Sequence, residues 1–331
     1  MEYWNSSLTI KNLKFPRFIG GPLDGITDSP FRKLVRQYSQ QELLYTEMRH
    51  VALLANAKEP AIQALTFDVT ERPLNFQVAA SQVRFIEPAV ERILATGVDI
   101  VDLNVGCPAK NVISSGSGSA LMADLPRLKE ILIEFKRCLG ETPFTIKIRA
   151  GFREKNALEV AQLAQDCGVD ALAIHPRLQR ERFLGQPDYD LAAQVKRALT
   201  IPVIISGNVI NWKTASMVYE RTGVDGFLIG RGIWGKPWKL HEMREHQEGR
   251  SYAIPFNETI DCAIKHLENM LAFYGPHGLF CFRKHLPLYV RGVPEAAAVR
   301  EELLVVTDPE VVKQRLESLK LHDTSSTERL F

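Results

Sequence analysis

The chain has 331 residues, is 45% hydrophobic and 24% charged, and carries a formal net charge of +2. That is apolar material for one large domain, or a large and a small one, and too even a charge balance for a basic nucleic-acid domain; any such surface has to be a local patch. Five cysteines spaced singly, with no C-x-x-C pair, argue against a disulfide framework and against a zinc site. No apolar run reaches bilayer length and the first 25 residues lack a signal-peptide core, so a soluble, cytoplasmic protein is expected.

In chain order, short β-rich runs are expected as strands at RFIGGP (17–22), LLYTEM (43–48), LNFQVA (74–79), DIVDLNV (99–105), FTIKIR (144–149), ALAIH (171–175), PVIISG (202–207) and GFLIG (226–230). Between them lie stretches of helical period: PFRKLVRQY, VRFIEPAVERILATG, LPRLKEILIEFKRCLG, ALEVAQLAQDCG, DLAAQVKRAL and WKTASMVYERTG. Several stop on a glycine just ahead of the next strand (Gly97, Gly140, Gly168, Gly223), as helix C-termini favour. Strands alternating with helices over about 240 residues fit a (β/α)8 barrel. A doubly wound sheet would carry a Gly-rich phosphate turn after strand one, where this chain reads GGPLDGITD; GSGS at 116–119 comes after strand four, too late for that role.

From Pro255 onward the strand pattern gives way to helical segments punctuated by Gly and Pro. Residues 1–244 are therefore expected to form the barrel and residues 245–331 a small all-helical domain, with the tail DTSSTERLF frayed.

Barrels of this kind build their active sites at the C-terminal ends of the strands, which makes those positions a physical filter. Strand one ends in Pro22, Leu23 and Asp24, and strand two in Glu47. Strand three carries Gln77, and strand four Asn104 followed by Cys107. Strand five offers Lys147 and Arg149, and strand six His175 and Arg177. Strand seven ends in Ser206, Gly207 and Asn208, and strand eight in Gly230 and Arg231. Strand after strand turns polar or glycine-rich at its end where its body is apolar, so the mouth is expected to be a polar site. Gly207 and Gly230 with Arg231 suit a phosphate held by backbone N–H groups after strands seven and eight. A lysine inside a parallel strand, such as Lys147, is costly unless it serves the site. His175 beside Lys147 and Arg177 points to an anion or carbonyl site. Cys107, between a glycine and a proline on a strand-end turn, is a candidate nucleophile, metal ligand, proton donor or buried filler. Cys138, Cys167, Cys262 and Cys281 fall in helical stretches and read as filler. No metal is expected, because His175 has no partner at ligand spacing and Asp24 and Glu47 are too few for a cage.

These motifs, PLDGITDSPFR, QVAAS, DLNVGCPAKNV, GSGSALM, IKIRAGF, HPRL, IPVIISGNV and GVDGFLIGRGIWGKPW in this order, resemble the tRNA-dihydrouridine synthases, most of all the bacterial B-type branch. The resemblance runs from about residue 17 to 240, and FRKHLPLYVRG resembles the family's helical tail. It implies an FMN-dependent TIM barrel that reduces the C5=C6 bond of particular uridines in tRNA with NADPH as reductant, and a monomer is expected. Carried over by residue, it implies that Pro22, Leu23 and Asp24 lie along the flavin and that Gln77 and Lys147 bond its pyrimidine edge. Ser206, Gly207, Asn208, Gly230 and Arg231 would hold its phosphate chain. Asn104, His175 and Arg177 would hold the flipped uracil, with His175 also beside the flavin. Cys107 would be the proton donor, since a thiol carries a proton that it can give to a carbanion-like centre developing at C5. Arg283, Lys284 and Arg291 on the helical tail are candidate contacts to tRNA phosphates. Three positions depart from the family pattern: Leu23 for a usual Met, Ser206 for a usual Asn, and His175-Pro176-Arg177-Leu178 for a His-Gly-Arg-Thr type of segment. The alternative reading is an FMN barrel that reduces a small enone or a free pyrimidine. A further alternative is a retired barrel that only binds RNA.

Overall fold

A computed structural model of the chain describes residues 2–58 and 61–320. The strands β1 (Phe18–Gly20), β2 (Leu44–Tyr45), β3 (Leu74–Ala79), β4 (Ile100–Val105), β5 (Phe144–Gly151), β6 (Ala171–Leu178), β7 (Val203–Ile205) and β8 (Gly226–Ile229) pair in parallel, each with the next, and β8 pairs with β1. The sheet closes through Gly20 opposite Leu44 and Leu44 opposite Leu74. It is an eight-stranded parallel barrel with helices between the strands, as the alternation of elements implies. Strand two breaks after Tyr45 and resumes at Arg49–His50, which again pairs with β3.

Each strand divides its side chains by parity. One set, including Phe76, Val78, Leu103, Ile146, Ile148, Ile174 and Ile205, faces outward into the core shared with the surrounding helices. Those helices are α1 (Ser29–Arg36), α2 (Ile86–Leu94), α3 (Leu125–Leu139), α4 (Ala157–Asp166), α5 (Tyr189–Ala198), α6 (Trp212–Thr222) and α7 (Lys239–Gln247). On α3 the buried Leu128, Ile131, Leu132, Phe135 and Leu139 recur with helical spacing and form the stripe that meets the sheet. Asp28, Asp124, Asp188 and Asn211 start four of these helices by accepting a backbone N–H from the first turn.

The other parity faces the barrel interior. Toward the N-terminal ends it is apolar, with Ile19, Ile100, Ala171 and Ile204 joined by Leu8, Ile10 and Phe15. The last three come from an antiparallel hairpin, Leu8–Ile10 with Leu13–Phe15, which the sequence analysis did not assign. Strands of three residues are too short to show a period. The interior turns polar half-way up, as described below.

After α7 come α8 (Phe256–Tyr274), α9 (Gly278–Phe282), α10 (Leu286–Tyr289), α11 (Ala296–Val305) and α12 (Pro309–Lys320). Their apolar faces form a second core, which takes in Leu34 of α1 and Trp238 from the barrel. Three polar contacts tie this helical part to the segment after β1: Tyr274 Oη donates to Asp28 (3.1 Å), Asn269 Nδ2 to the Pro30 carbonyl (3.4 Å), and Lys284 Nζ to the Gly25 carbonyl (3.2 Å). The tail DTSSTERLF lies outside the described residues. No helix among the described residues is long and apolar enough to cross a membrane.

Candidate active site

Half-way up the barrel, inward-facing polar residues form a buried hub on Asp102. Its carboxylate accepts from Gln77 Nε2 at 2.8 Å, from Thr145 Oγ1 at 2.7 Å and from Tyr45 Oη at 3.5 Å. Asn75 Nδ2 donates to Thr145 Oγ1 at 3.1 Å. Burial pushes the Asp102 carboxyl up to about 6, against the hydrogen bonds from Thr145 and Gln77. Asp102 was missed in the sequence, yet a signal was there: it sits two residues before Asn104, on the same face of β4.

The hub orients the next layer. With Gln77 Nε2 committed to Asp102, Gln77 Oε1 accepts from Asn104 Nδ2 at 3.0 Å. Asn104 Oδ1 then accepts the backbone N–H groups of Gly106 (3.0 Å) and Cys107 (2.7 Å). This Asx turn is what ends strand four on an asparagine. The sequence assigned Asn104 to a base; in the structure its carbonyl builds the turn that carries the thiol. Arg149, 3% exposed, donates to the carbonyls of Gly106 (2.8 Å), Leu178 and Arg182 (3.1 Å each), joining the Cys107 turn to the segment after β6.

Above this layer opens a cavity of about 370 Å³ at the C-terminal ends of the strands, within the usual range for small-molecule sites. Pro22, Leu23, Asp24, Gln77, Asn104, Cys107, Lys147, His175, Ser206, Gly207, Asn208, Gly230 and Arg231 all line it. Among the described residues Lys147 Nζ has no hydrogen-bond partner. Burial first, and then the nearby Arg149 charge, push its ammonium down to about 8. His175 is pushed down to about 2, chiefly by burial and next by Lys147, so it is neutral. Its Nε2 lies 3.1 Å from Arg177 Nη1; a guanidinium can only donate, so Nε2 accepts and the ring proton sits on Nδ1. Gly207 has φ +106°, and a Cβ there would stand 3.0 Å from the His175 ring. The backbone N–H groups of Gly207, Asn208, Gly230 and Arg231 have no acceptor among the described residues. Four unbonded donors beside an arginine have the donor chemistry that an anion requires.

Other expected residues stand elsewhere. Arg177 is 2% exposed and is not in the cavity wall; besides His175 it donates to the carbonyls of Leu184 (3.0 Å) and Gly185 (2.7 Å) and to Asn208 Oδ1 (3.1 Å). Its strand, expected to end at His175, runs on through Pro176 to Leu178, where the fixed φ of proline fits. Glu47 accepts from the Gly25 N–H and pairs with Arg49, bracing the segment after β1. Leu23 bonds its N–H to Thr27 Oγ1, so the cavity receives its side chain. Arg283 is half-buried, donates to the Val306 carbonyl at 2.9 Å and lies over the Phe280 ring at 4.6 Å. Lys284 and Arg291 are exposed. Phe183, unforeseen in the sequence, borders the cavity half exposed, with the Arg231 guanidinium 4.1 Å from its ring centroid. No group of three His, Cys, Asp or Glu able to hold a metal ion occurs among the described residues.

A parallel (β/α)8 barrel with a thiol, a neutral histidine and an unpaired lysine in one mouth cavity is the frame of a barrel enzyme. Solved structures with the same architecture include morphinone reductase, at TM-score 0.56 and 13% identity, covering 77% of this chain and 93% of that one. The family described as Dihydrouridine synthase (Dus) matches residues 19–324. Curated relatives include the probable tRNA-dihydrouridine synthase 1 of Synechocystis, 34% identical over 95% of this chain and 89% of that one. The tRNA-dihydrouridine synthase B of Pseudomonas aeruginosa is 33% identical over 86% and 87%. The chain belongs to the dihydrouridine synthase family. It is an oxidoreductase that makes dihydrouridine from uridine.

Proposed function

We propose that this synthase reduces the C5=C6 bond of particular uridines in tRNA, with FMN seated in the barrel mouth and NADPH as the electron donor, acting as a cytoplasmic monomer. The observation that carries the reading is the convergence in one cavity of an anion-binding edge, an unpaired Lys147 ammonium and the Cys107 thiol. The residues fit FMN. The unbonded N–H groups of Gly207, Asn208, Gly230 and Arg231, with Ser206 and the Arg231 side chain, suit one terminal phosphate. One such edge, with no second phosphate turn among the described residues, favours FMN over FAD. Pro22, Leu23 and Asp24 supply a wall for a flat ring. Gln77 keeps one amide N–H and Lys147 all its donors for the carbonyl-rich edge of that ring.

When bound, FMN supplies the hydride that adds at C6 of uracil. The protein's part is charge and proton management. As C6 gains hydride, negative charge grows toward O4 and C5, and fixed donors in a desolvated cavity stabilise it. The donors available are the Nδ1–H of His175 and the second N–H of Asn104 Nδ2, with the charge of the Lys147 ammonium, still mostly protonated at neutral pH, close by. Cys107 transfers its thiol proton to C5, and solvent reprotonates the thiolate afterwards. Arg177, committed to His175 and the Leu184–Gly185 carbonyls, supports a role in holding that imidazole rather than the base. The uridine has to leave its stack to enter the cavity, and exposed Lys284 and Arg291 are available to tRNA phosphates. Incubating purified protein with unmodified tRNA transcript and NADPH should yield dihydrouridine, and denaturing it should release FMN. Released FAD would overturn the cofactor assignment, and reduction of free uracil but not of tRNA would overturn the substrate.

A further inference from the structure

GSGS at 116–119 does not line the mouth cavity; its last two residues, Gly118 and Ser119, pack against Cys107. Ser119 donates its hydroxyl to the Cys107 carbonyl at 2.9 Å and its backbone N–H to the same oxygen at 3.2 Å, filling both lone pairs. Ser119 has no exposed surface. Gly118 has φ +59°, and a Cβ there would come within 2.8 Å of Val112 Cγ1 and 3.0 Å of the Cys107 oxygen. Only glycine lets the chain pass this close in this conformation.

The stretch is itself anchored from strand two. His50 Nδ1 accepts the Ala52 N–H at 3.2 Å, so its proton sits on Nε2 and is donated to Ser117 Oγ at 2.9 Å. On the other flank of the thiol, Asn104 takes the Cys107 N–H and Arg149 takes the Gly106 carbonyl. Both peptide groups around the Cys107 Cα are therefore tied, and χ1 is the main freedom left to the sulfur.

We propose that Ser119, with Gly118 beside it, is a positioning residue of the proton-transfer step: by fixing the peptide after Cys107 it sets where Sγ stands relative to uracil C5. The proposal rests on Cys107 being the proton donor. Proton transfer falls steeply with misplacement, and a shift of about 1 Å can cost up to 10²-fold. Ser119→Ala keeps the backbone bond and loses the hydroxyl, so an intermediate loss of about tenfold is expected.

The test uses full-length, flavin-loaded enzyme and three readouts. Flavin reduction by NADPH should match the parent. Reoxidation of pre-reduced enzyme by saturating unmodified tRNA should slow about tenfold. Alkylation of Cys107 by iodoacetamide without tRNA, followed by peptide mass spectrometry, should change severalfold while Cys138, Cys167 and Cys281 react as before. Ser119→Thr, which restores a hydroxyl donor, should recover reoxidation. The proposal is overturned if Ser119→Ala reoxidises at the parental rate while Cys107→Ala is slowed. It is also overturned if Ser119→Ala slows both half-reactions alike, the mark of a merely structural role. If Cys107→Ala reoxidises at the parental rate, it is the proton-donor assignment that fails, and the two failures are told apart.

Discussion

Replacing Asn104 by alanine removes three hydrogen bonds at once from a residue that is 6% exposed. Two are accepted from the Gly106 and Cys107 N–H groups, at 3.0 and 2.7 Å, and one is donated to Gln77 Oε1 at 3.0 Å. Each such bond contributes about 1 kcal/mol net, and a buried group left unpaired costs about 1–3 kcal/mol. The cavity alongside lets water reach some of the stranded groups, so the expected total is about 3 kcal/mol. For a chain of 331 residues that lowers the melting temperature by about 4 °C. Asn104→Asp is the informative partner. It keeps the acceptor for both N–H groups but sets a carboxylate against Gln77 Oε1, so it should hold the turn while disturbing the Gln77–Asp102 hub. Thermal melting of flavin-loaded protein, together with single-turnover reoxidation by tRNA, measures both effects. Melting of Asn104→Ala within about 1 °C of the parent, far below the loss expected from three buried bonds, with unchanged reoxidation, would refute the reasoning that Asn104 locks the thiol's turn.

Cys107→Ala should leave flavin reduction by NADPH intact and slow reoxidation by tRNA by about 10²–10⁴-fold, the usual worth of a general acid; equal rates in stopped-flow traces would make the thiol filler. Arg231→Ala should release FMN more readily without lowering the apoprotein's melting temperature, read by flavin fluorescence on dilution, and undiminished retention would move the phosphate elsewhere. Lys284→Glu with Arg291→Glu should weaken tRNA binding and flatten its dependence on salt by roughly 0.7–0.9 in log–log slope per lost phosphate contact, whereas Arg283→Glu should mainly destabilise the helical part, since that guanidinium is committed to Val306 and Phe280. His285, buried against Phe31 and His266, is pushed down to about 3, mainly by burial and then by Lys284. The unfolded chain therefore binds a proton that the folded one refuses, and stability falls as pH drops from about 6.5 toward 3. Asp28, raised to about 7 by burial and by Glu47, gives a slope of opposite sign from about 3.9 to 7. The readout is thus the difference between parent and His285→Phe in denaturant titrations across that range, and parallel curves would refute it.

Much of this molecule is local enough to read from the chain alone. The outward parity of the strands and the stripes of α1–α6 are periodic, and periodicity survives in one dimension. The polar strand ends, from Pro22 to Arg231, follow from counting strands once the barrel is assumed, because that architecture puts its chemistry at one end. Family membership is likewise carried by ordered motifs and needs no coordinates.

Direction and partnership are another matter. Asn104, Arg177 and Arg283 are polar residues at suggestive positions, and the sequence offered all three to the substrate. Which carbonyl or N–H lies within 3 Å depends on register, such as Gln77 opposite Asp102 and Asn104 opposite Lys147. Such pairs lie 25 to 43 residues apart in the chain, with nothing local to connect them. Asp102 reads as a lone acid in an apolar strand until Tyr45, Gln77 and Thr145 arrive from three other strands. GSGS reads as a misplaced phosphate loop until Ser119 is seen on the Cys107 carbonyl. A sequence specifies which groups are present and at what period they recur. Only closure of the barrel decides which of them face each other, because a hydrogen bond acts over 3 Å of space and has no memory of distance along the chain.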